Sequence, residues 1–147
     1  MIERTGDMFA EYLSPEVVYV ITTNGYVRND GSAVMGRGTA LRAATLHKDV
    51  PRILGDLLLS YGNRPFILPY NFVTLPVKHK WDEKADTELI IRSLAGLKHL
   101  LRIYGQGRQI YLPRPGCGNG QLDWGTVSPI VNEWFGDDNH VVVWSLG

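Results

Sequence analysis

An α/β domain of three layers, with helices on both faces of a central sheet, is what this sequence predicts. Three observations carry that expectation. Short apolar runs rich in β-branched residues alternate along the chain with longer segments of helical periodicity, as strand-helix-strand units require. Two glycine-rich turns each fall between such a run and a helix. The 147 residues are 44% hydrophobic and 20% charged, which suits one buried core and is too apolar for a disordered chain. No repeat, low-complexity tract or linker interrupts them, so a single domain over 1–147 is expected.

Val17–Thr22 is a continuous β-branched and aromatic run and reads as a buried strand. Asn24, Gly25, Asn29, Asp30 and Gly31 then mark a loop or hairpin. Thr39–Lys48 combines helix formers with spaced apolar residues, which puts Gly36 and Gly38 at a helix N-terminus. Pro51–Tyr61 predicts a second helix, with Pro51 in its first turn and Gly62 at its stop. Phe66–Leu68 and Asn71–Leu75 read as two short strands broken by Pro69, in a hairpin or bend. From Thr87 to Tyr104, Ile90, Leu94, Leu97, Leu101 and Tyr104 recur at spacings of four and three, between Asp86 as cap and Gly105 as stop, so a long amphipathic helix is expected. Gln109–Leu112 predicts a strand, Pro113–Gly120 a turn, Val127–Phe135 a short helix with Ser128 before Pro129 as its cap, and Val141–Trp144 a last buried strand.

Fifteen basic residues balance fifteen acidic ones, which argues against a protein that chiefly covers nucleic-acid phosphates, while leaving room for a local basic patch. The single Cys117 forbids an internal disulfide and a cysteine-rich zinc site. His47 and His79 lack a spacing partner that suggests a metal, and His99 falls on the long helix, so no metal site is expected. With neither a signal peptide nor an apolar run near the ~20 residues of a membrane span, no membrane partner and a cytoplasmic location are the default expectations.

Chemistry concentrates in the two glycine-rich turns, Gly31-Ser-Ala-Val-Met-Gly-Arg-Gly38 and Gly116-Cys-Gly-Asn-Gly120. Loops at the carboxyl ends of strands in an α/β sheet are where ligands bind. Without side chains, backbone N–H groups close on a phosphate, and a following helix N-terminus adds a favourable dipole. Each turn alone reads more simply as a tight bend that needs positive φ, but a pair of them, each between strand and helix, could cradle a diphosphate. There is no P-loop, and Gly36-Arg-Gly38 lacks the third glycine of a dinucleotide fingerprint.

Four segments then match a known family in order: Thr5-Gly-Asp-Met8, the strand ending Thr22-Thr-Asn24, Ala33-Val-Met-Gly-Arg-Gly-Thr-Ala40, and Pro113-Arg-Pro-Gly-Cys-Gly-Asn-Gly-Gln-Leu-Asp-Trp124. The sequence resembles the macrodomains, the α/β/α modules that bind ADP-ribose. The last segment, together with Asn71-Phe72, Lys78 and Trp81, is most similar to the branch that holds terminal ADP-ribose protein glycohydrolase and the antitoxins that strip ADP-ribose from DNA. That resemblance implies a three-layer α/β/α fold on a mixed β-sheet. It also implies ADP-ribose binding and hydrolysis of an ADP-ribose derivative, which removes ADP-ribose from a modified protein or DNA. A phosphatase of ADP-ribose 1″-phosphate and a non-catalytic ADP-ribose reader would share the same pocket. Nucleic acid enters only as an ADP-ribosylated substrate, and no cofactor is implied.

Residue by residue, the resemblance places Asp7 on the adenine amino group with the Met8 backbone beside it, and Asn24 on the distal ribose. It wraps Val34, Met35, Gly36, Arg37 and Gly38, with Gly116, Cys117, Gly118, Asn119 and Gly120, around the diphosphate and distal ribose through backbone amides. Asp7 as a turn or cap carboxylate and Asn24 as a turn residue ahead of Gly25 are the plainer readings. Trp144 reads as core packing or as a border of the adenine. Lys78 falls where the branch has a nucleophilic lysine, with Lys80 as the alternative and a solvated charge as the plain reading. Gly120 stands where the protein glycohydrolase has an aspartate, which puts a Lys/Asp pair in doubt. Cys117 reads as a small packing residue, or as a thiol acidified by an anion-binding loop.

Overall fold

The computed structural model describes residues 1–146; Gly147, the last residue of the expected domain, lies outside the described residues. The element order is β1 (Ile2–Thr5), β2 (Val17–Asn24), α1 (Gly38–Leu46), α2 (Val50–Tyr61), β3 (Phe72–Lys78), α3 (Thr87–Tyr104), β4 (Gln109–Pro113), a 3₁₀ turn (Gly118–Gly120), α4 (Trp124–Phe135) and β5 (Val141–Ser145). The five strands form one sheet in the order β1-β5-β4-β2-β3. Alternation along β2 divides the core. Val18 and Val20 join the apolar cluster under α3 and α4, whereas Val17, Tyr19 and Ile21 join the cluster under α1 and α2. Helices therefore cover both faces, and the three-layer expectation holds.

The sheet is not mixed: all four ladders among the described residues are parallel. Antiparallel pairing beside β3 is limited to one bridge, Ile67 to Val73, because Pro65 and Pro69 flank the segment and have no N–H with which to extend a ladder. Phe66–Leu68 is therefore no strand. It covers the outer edge of β3 instead, where the Thr74 N–H donates to Phe66 O and the Leu68 N–H to Phe72 O, both at 2.9 Å. That edge position lets β3 run through Pro76 to Lys78, three residues beyond the expected end.

Asp86 caps α3 as expected, its Oδ1 accepting from the Glu88 N–H at 3.0 Å. Ser128 does not cap α4, because the turn has already closed upstream: the Thr126 and Val127 N–H groups donate to Asp123 O at 3.0 and 3.1 Å. Pro129 thus lies inside α4. β1 has no counterpart in the sequence reading, since Ile2-Glu-Arg-Thr5 shows no apolar alternation; it is an exposed edge strand placed by its pairing with β5.

Candidate functional site

A parallel sheet brings the carboxyl ends of all its strands to one side. The segments after β1 (Gly6 to Phe9), β2 (from Asn24), β3 (Trp81 to Glu83), β4 (Arg114 to Gln121) and β5 (Leu146) meet there around an open cleft of about 1530 Å³. Neighbouring strands β2 and β4 send their chains to opposite faces, into α1 and α4, so the two glycine-rich loops part at a topological switch point where ligands sit in α/β folds. A second depression of about 440 Å³, between Lys98, the end of α4 and the segment after it, shares no lining residue with this cleft.

The expected residues are gathered here with one exception. Asp7, Met8, Asn24, Val34, Gly36, Arg37, Gly38, Lys78, Gly116, Cys117, Gly118, Asn119 and Gly120 line the cleft. Met35 does not: it is buried in the apolar cluster under α1 and α2, because the loop must anchor itself to the core to hold its shape. Asn24 braces that same loop, its Nδ2 donating to Val34 O and its Oδ1 accepting from the Tyr26 N–H, both at 3.0 Å. The glycines differ in what they serve. A Cβ on Gly36, Gly38 or Gly118 would meet nothing within 4 Å, so these backbones face open space, and Gly38 and Gly118 have φ of +58° and +72°. Gly116, at φ +73°, instead packs against Ile90, Leu122 and Ala85.

Lys78 ends β3 with only 7% of its surface exposed. Its Nζ donates to Trp81 O and Asn119 O, both at a long 3.4 Å, and it has no carboxylate partner among the described ion pairs. Burial pushes the amine below the usual lysine pKa, the Arg37 charge adds to that, and Asp82 opposes it. Gly120 is next to it: a Cβ there would lie 4.0 Å from Lys78 Cε, in ordinary contact, and 3.0 Å from Ala85 Cβ, so a side chain at this position would crowd Ala85. Lys80 is exposed and does not line the cleft. Trp81, half exposed, borders it. The Cys117 thiol is pushed up by burial rather than acidified, since the Arg114 charge is the weaker influence.

Asp7 carries partners that the sequence did not announce. Its Oδ1 accepts from the Phe9 N–H at 2.9 Å and from Arg42 Nη1 at 3.2 Å, while Oδ2 accepts from Arg42 Nη2 at 3.2 Å. These contacts, the Phe9 N–H foremost, hold the carboxyl below its usual range against a smaller effect of burial. Arg28, Arg42 and Arg114 line the cleft as well, so basic groups outnumber acidic ones there although the chain as a whole is neutral. Trp144 both borders the cleft and packs its ring edge-on to Tyr111, with centroids 5.2 Å apart.

No family model and no curated protein matches the sequence. Solved structures do match. The macrodomain of Mycobacterium tuberculosis DarG is similar at a TM-score of 0.80 and 21% identity, over 97% of this chain and 95% of that one. The macrodomain of Thermus aquaticus DarG gives 0.76 and 25%, over 97% and 95%. Thermosipho africanus DarTG, solved in complex with ADP-ribose, gives 0.71 and 20% over 88% of this chain, which spans 37% of that longer one. With this sheet order, two glycine loops at its switch point and a similarity along nearly its full length, the chain has the macrodomain fold seen in the DarG structures.

Proposed function

We propose that the cleft binds ADP-ribose and that the protein releases it from a modified macromolecule, with Lys78 as nucleophile. The observation that carries this reading is a buried lysine, short of carboxylate partners, opening into the same cleft as two loops of exposed backbone. Glycine N–H groups and the start of α1 favour a diphosphate between the loops. Asp7 and Lys78 both line the cleft, and in this reading Asp7 accepts from the adenine amine while Lys78 serves the distal ribose. The ADP-ribose in the DarTG structure supports the ligand class.

A lysine attacks only as the free amine, and burial with Arg37 nearby favours that form. Its lone pair forms a bond to the anomeric carbon while the bond to the modified group breaks, and the departing atom takes a proton. Opening of the ring then breaks the bond from the anomeric carbon to the ring oxygen, which gains a proton, and leaves an imine on Lys78. Water adds to the imine and frees ADP-ribose and the amine.

The test is incubation with ADP-ribosylated protein, ADP-ribosylated DNA and ADP-ribose 1″-phosphate, with products read by mass spectrometry. Free ADP-ribose from a modified macromolecule, and a borohydride-trapped adduct on Lys78, are expected. Binding of ADP-ribose without turnover of any of the three would make the protein a reader instead.

A further inference from the structure

The Arg42 guanidinium lies over the Phe9 ring, 5.1 Å from its centroid, while bonding Asp7 through both Nη atoms. Phe9 is only 5% exposed, so its ring offers little face to the cleft. The side chain of Arg42 is 47% exposed and borders the cleft directly. What a ligand meets at this end is therefore a flat cation backed by an aromatic ring and held in place by a carboxylate.

Oδ1 of Asp7 is occupied by the Phe9 N–H and Arg42 Nη1, and Oδ2 by Arg42 Nη2, which leaves Oδ2 one site for a further donor. Arg42 spends two of its five N–H groups on Asp7. A planar guanidinium stacks on π systems, and its fixed fork pins the carboxylate in a way a lysine ammonium cannot. The ligand group that matches a flat cationic face beside a single open acceptor is a heteroaromatic ring bearing an exocyclic amine.

We infer that Arg42 is a specificity-determining residue: it stacks on the base of the bound nucleotide and fixes Asp7 so that one carboxylate lone pair reads the exocyclic amine. This rests on the proposed binding of ADP-ribose and adds the residue that discriminates the base. A hypoxanthine ring would stack equally well but present a carbonyl oxygen to the carboxylate, leaving two acceptors face to face.

Calorimetry with ADP-ribose and inosine diphosphate ribose, on the parent, Arg42→Lys and Arg42→Ala, tests it. The parent is expected to prefer ADP-ribose, and both variants to bind it about tenfold more weakly with the preference reduced toward parity. Arg42→Lys keeps the charge, so its failure to restore the preference separates geometry from electrostatics. On the parent alone, the Arg42 Nε resonance should move when ADP-ribose or AMP is added and stay in place with ribose 5-phosphate. Parent affinity and preference retained in both variants, or an Nε resonance blind to AMP, overturns the inference while ADP-ribose binding stands. A parent that binds neither nucleotide overturns the functional reading and this inference with it.

Discussion

Gly116 and Gly118 share a left-handed backbone and differ in what surrounds them, so replacing each with alanine separates two physical effects. Both variants force a Cβ onto a φ near +70°, the values being +73° and +72°, which costs about 1–2 kcal/mol. At Gly118 the added methyl meets nothing within 4 Å, so the backbone cost stands alone. At Gly116 it falls 2.8 Å from Ile90 Cδ1, 2.9 Å from Leu122 Cδ1 and 3.0 Å from Ala85 Cβ. The two longer side chains can rotate away, but Ala85 cannot, and overpacking of this kind adds roughly 1–3 kcal/mol. Gly116→Ala should therefore lose about 2–5 kcal/mol, a large share of an ordinary domain's stability. Urea unfolding followed by circular dichroism measures both, and the ADP-ribose affinity of the folded variants is read by calorimetry. Gly118→Ala should remain folded and bind weakly, because its methyl projects into the cleft; Gly116→Ala should be the less stable by a clear margin. Equal destabilisation would refute the packing argument, and unchanged affinity in Gly118→Ala would show that the loop backbone does not approach the ligand.

Other consequences are as direct. Lys78→Ala should abolish turnover while leaving ADP-ribose affinity within a few-fold, as expected of a group that acts mainly in the transition state; turnover at the parent rate would remove Lys78 from the mechanism. Because the Lys78 pKa lies below 10.5, the parent's rate should rise with pH and level off before an ordinary lysine would have lost its proton, as a pH–rate profile will show. Asp86→Ala removes the α3 cap and should cost about 1 kcal/mol in thermal or urea unfolding, with ligand affinity retained. Asp7→Ala should be less stable than the parent at neutral pH. The folded carboxyl titrates below 3.8, so the parent's advantage is full above that value and shrinks as pH falls through the folded pKa.

The sequence disclosed what is local and hid what is made through space. The caps and apolar stripe of α3 are written in consecutive residues, and the glycine loops announce their position between strand and helix. β1 could not be read, because an exposed four-residue edge strand needs no apolar pattern and is defined by a partner near the other end of the chain. The parallel direction of the sheet was by contrast written in the alternation of strands and helices, and the mixed sheet was an expectation of the resemblance alone. Pro129 misled because proline is common at a helix start, whereas the turn bonds to Asp123 had already begun α4. At the site, Asp7 and the glycines stand in short motifs, yet the Arg42 contact to Asp7 spans 35 residues and carries no local signature. Nor does sequence tell Gly116 from Gly118: one glycine is required by neighbours and the other faces open space.

The pairing of β1 with β5, Ile2 opposite Val142, has a kinetic side. Almost the whole chain must be threaded before that ladder can close, and contacts of such sequence separation are slow to form and costly in loop entropy. With all four residues exposed, β1 has little buried surface to hold it, so its amide hydrogens should exchange through local opening well before those of β2 and β3. Gly6 and Asp7 follow directly, tied by the Gly6 N–H to Ser145 O at 2.8 Å. Whenever the edge frays, that wall of the cleft goes with it. A ligand that engages Asp7 would therefore slow exchange in β1 by mass action, although it touches no residue of the strand.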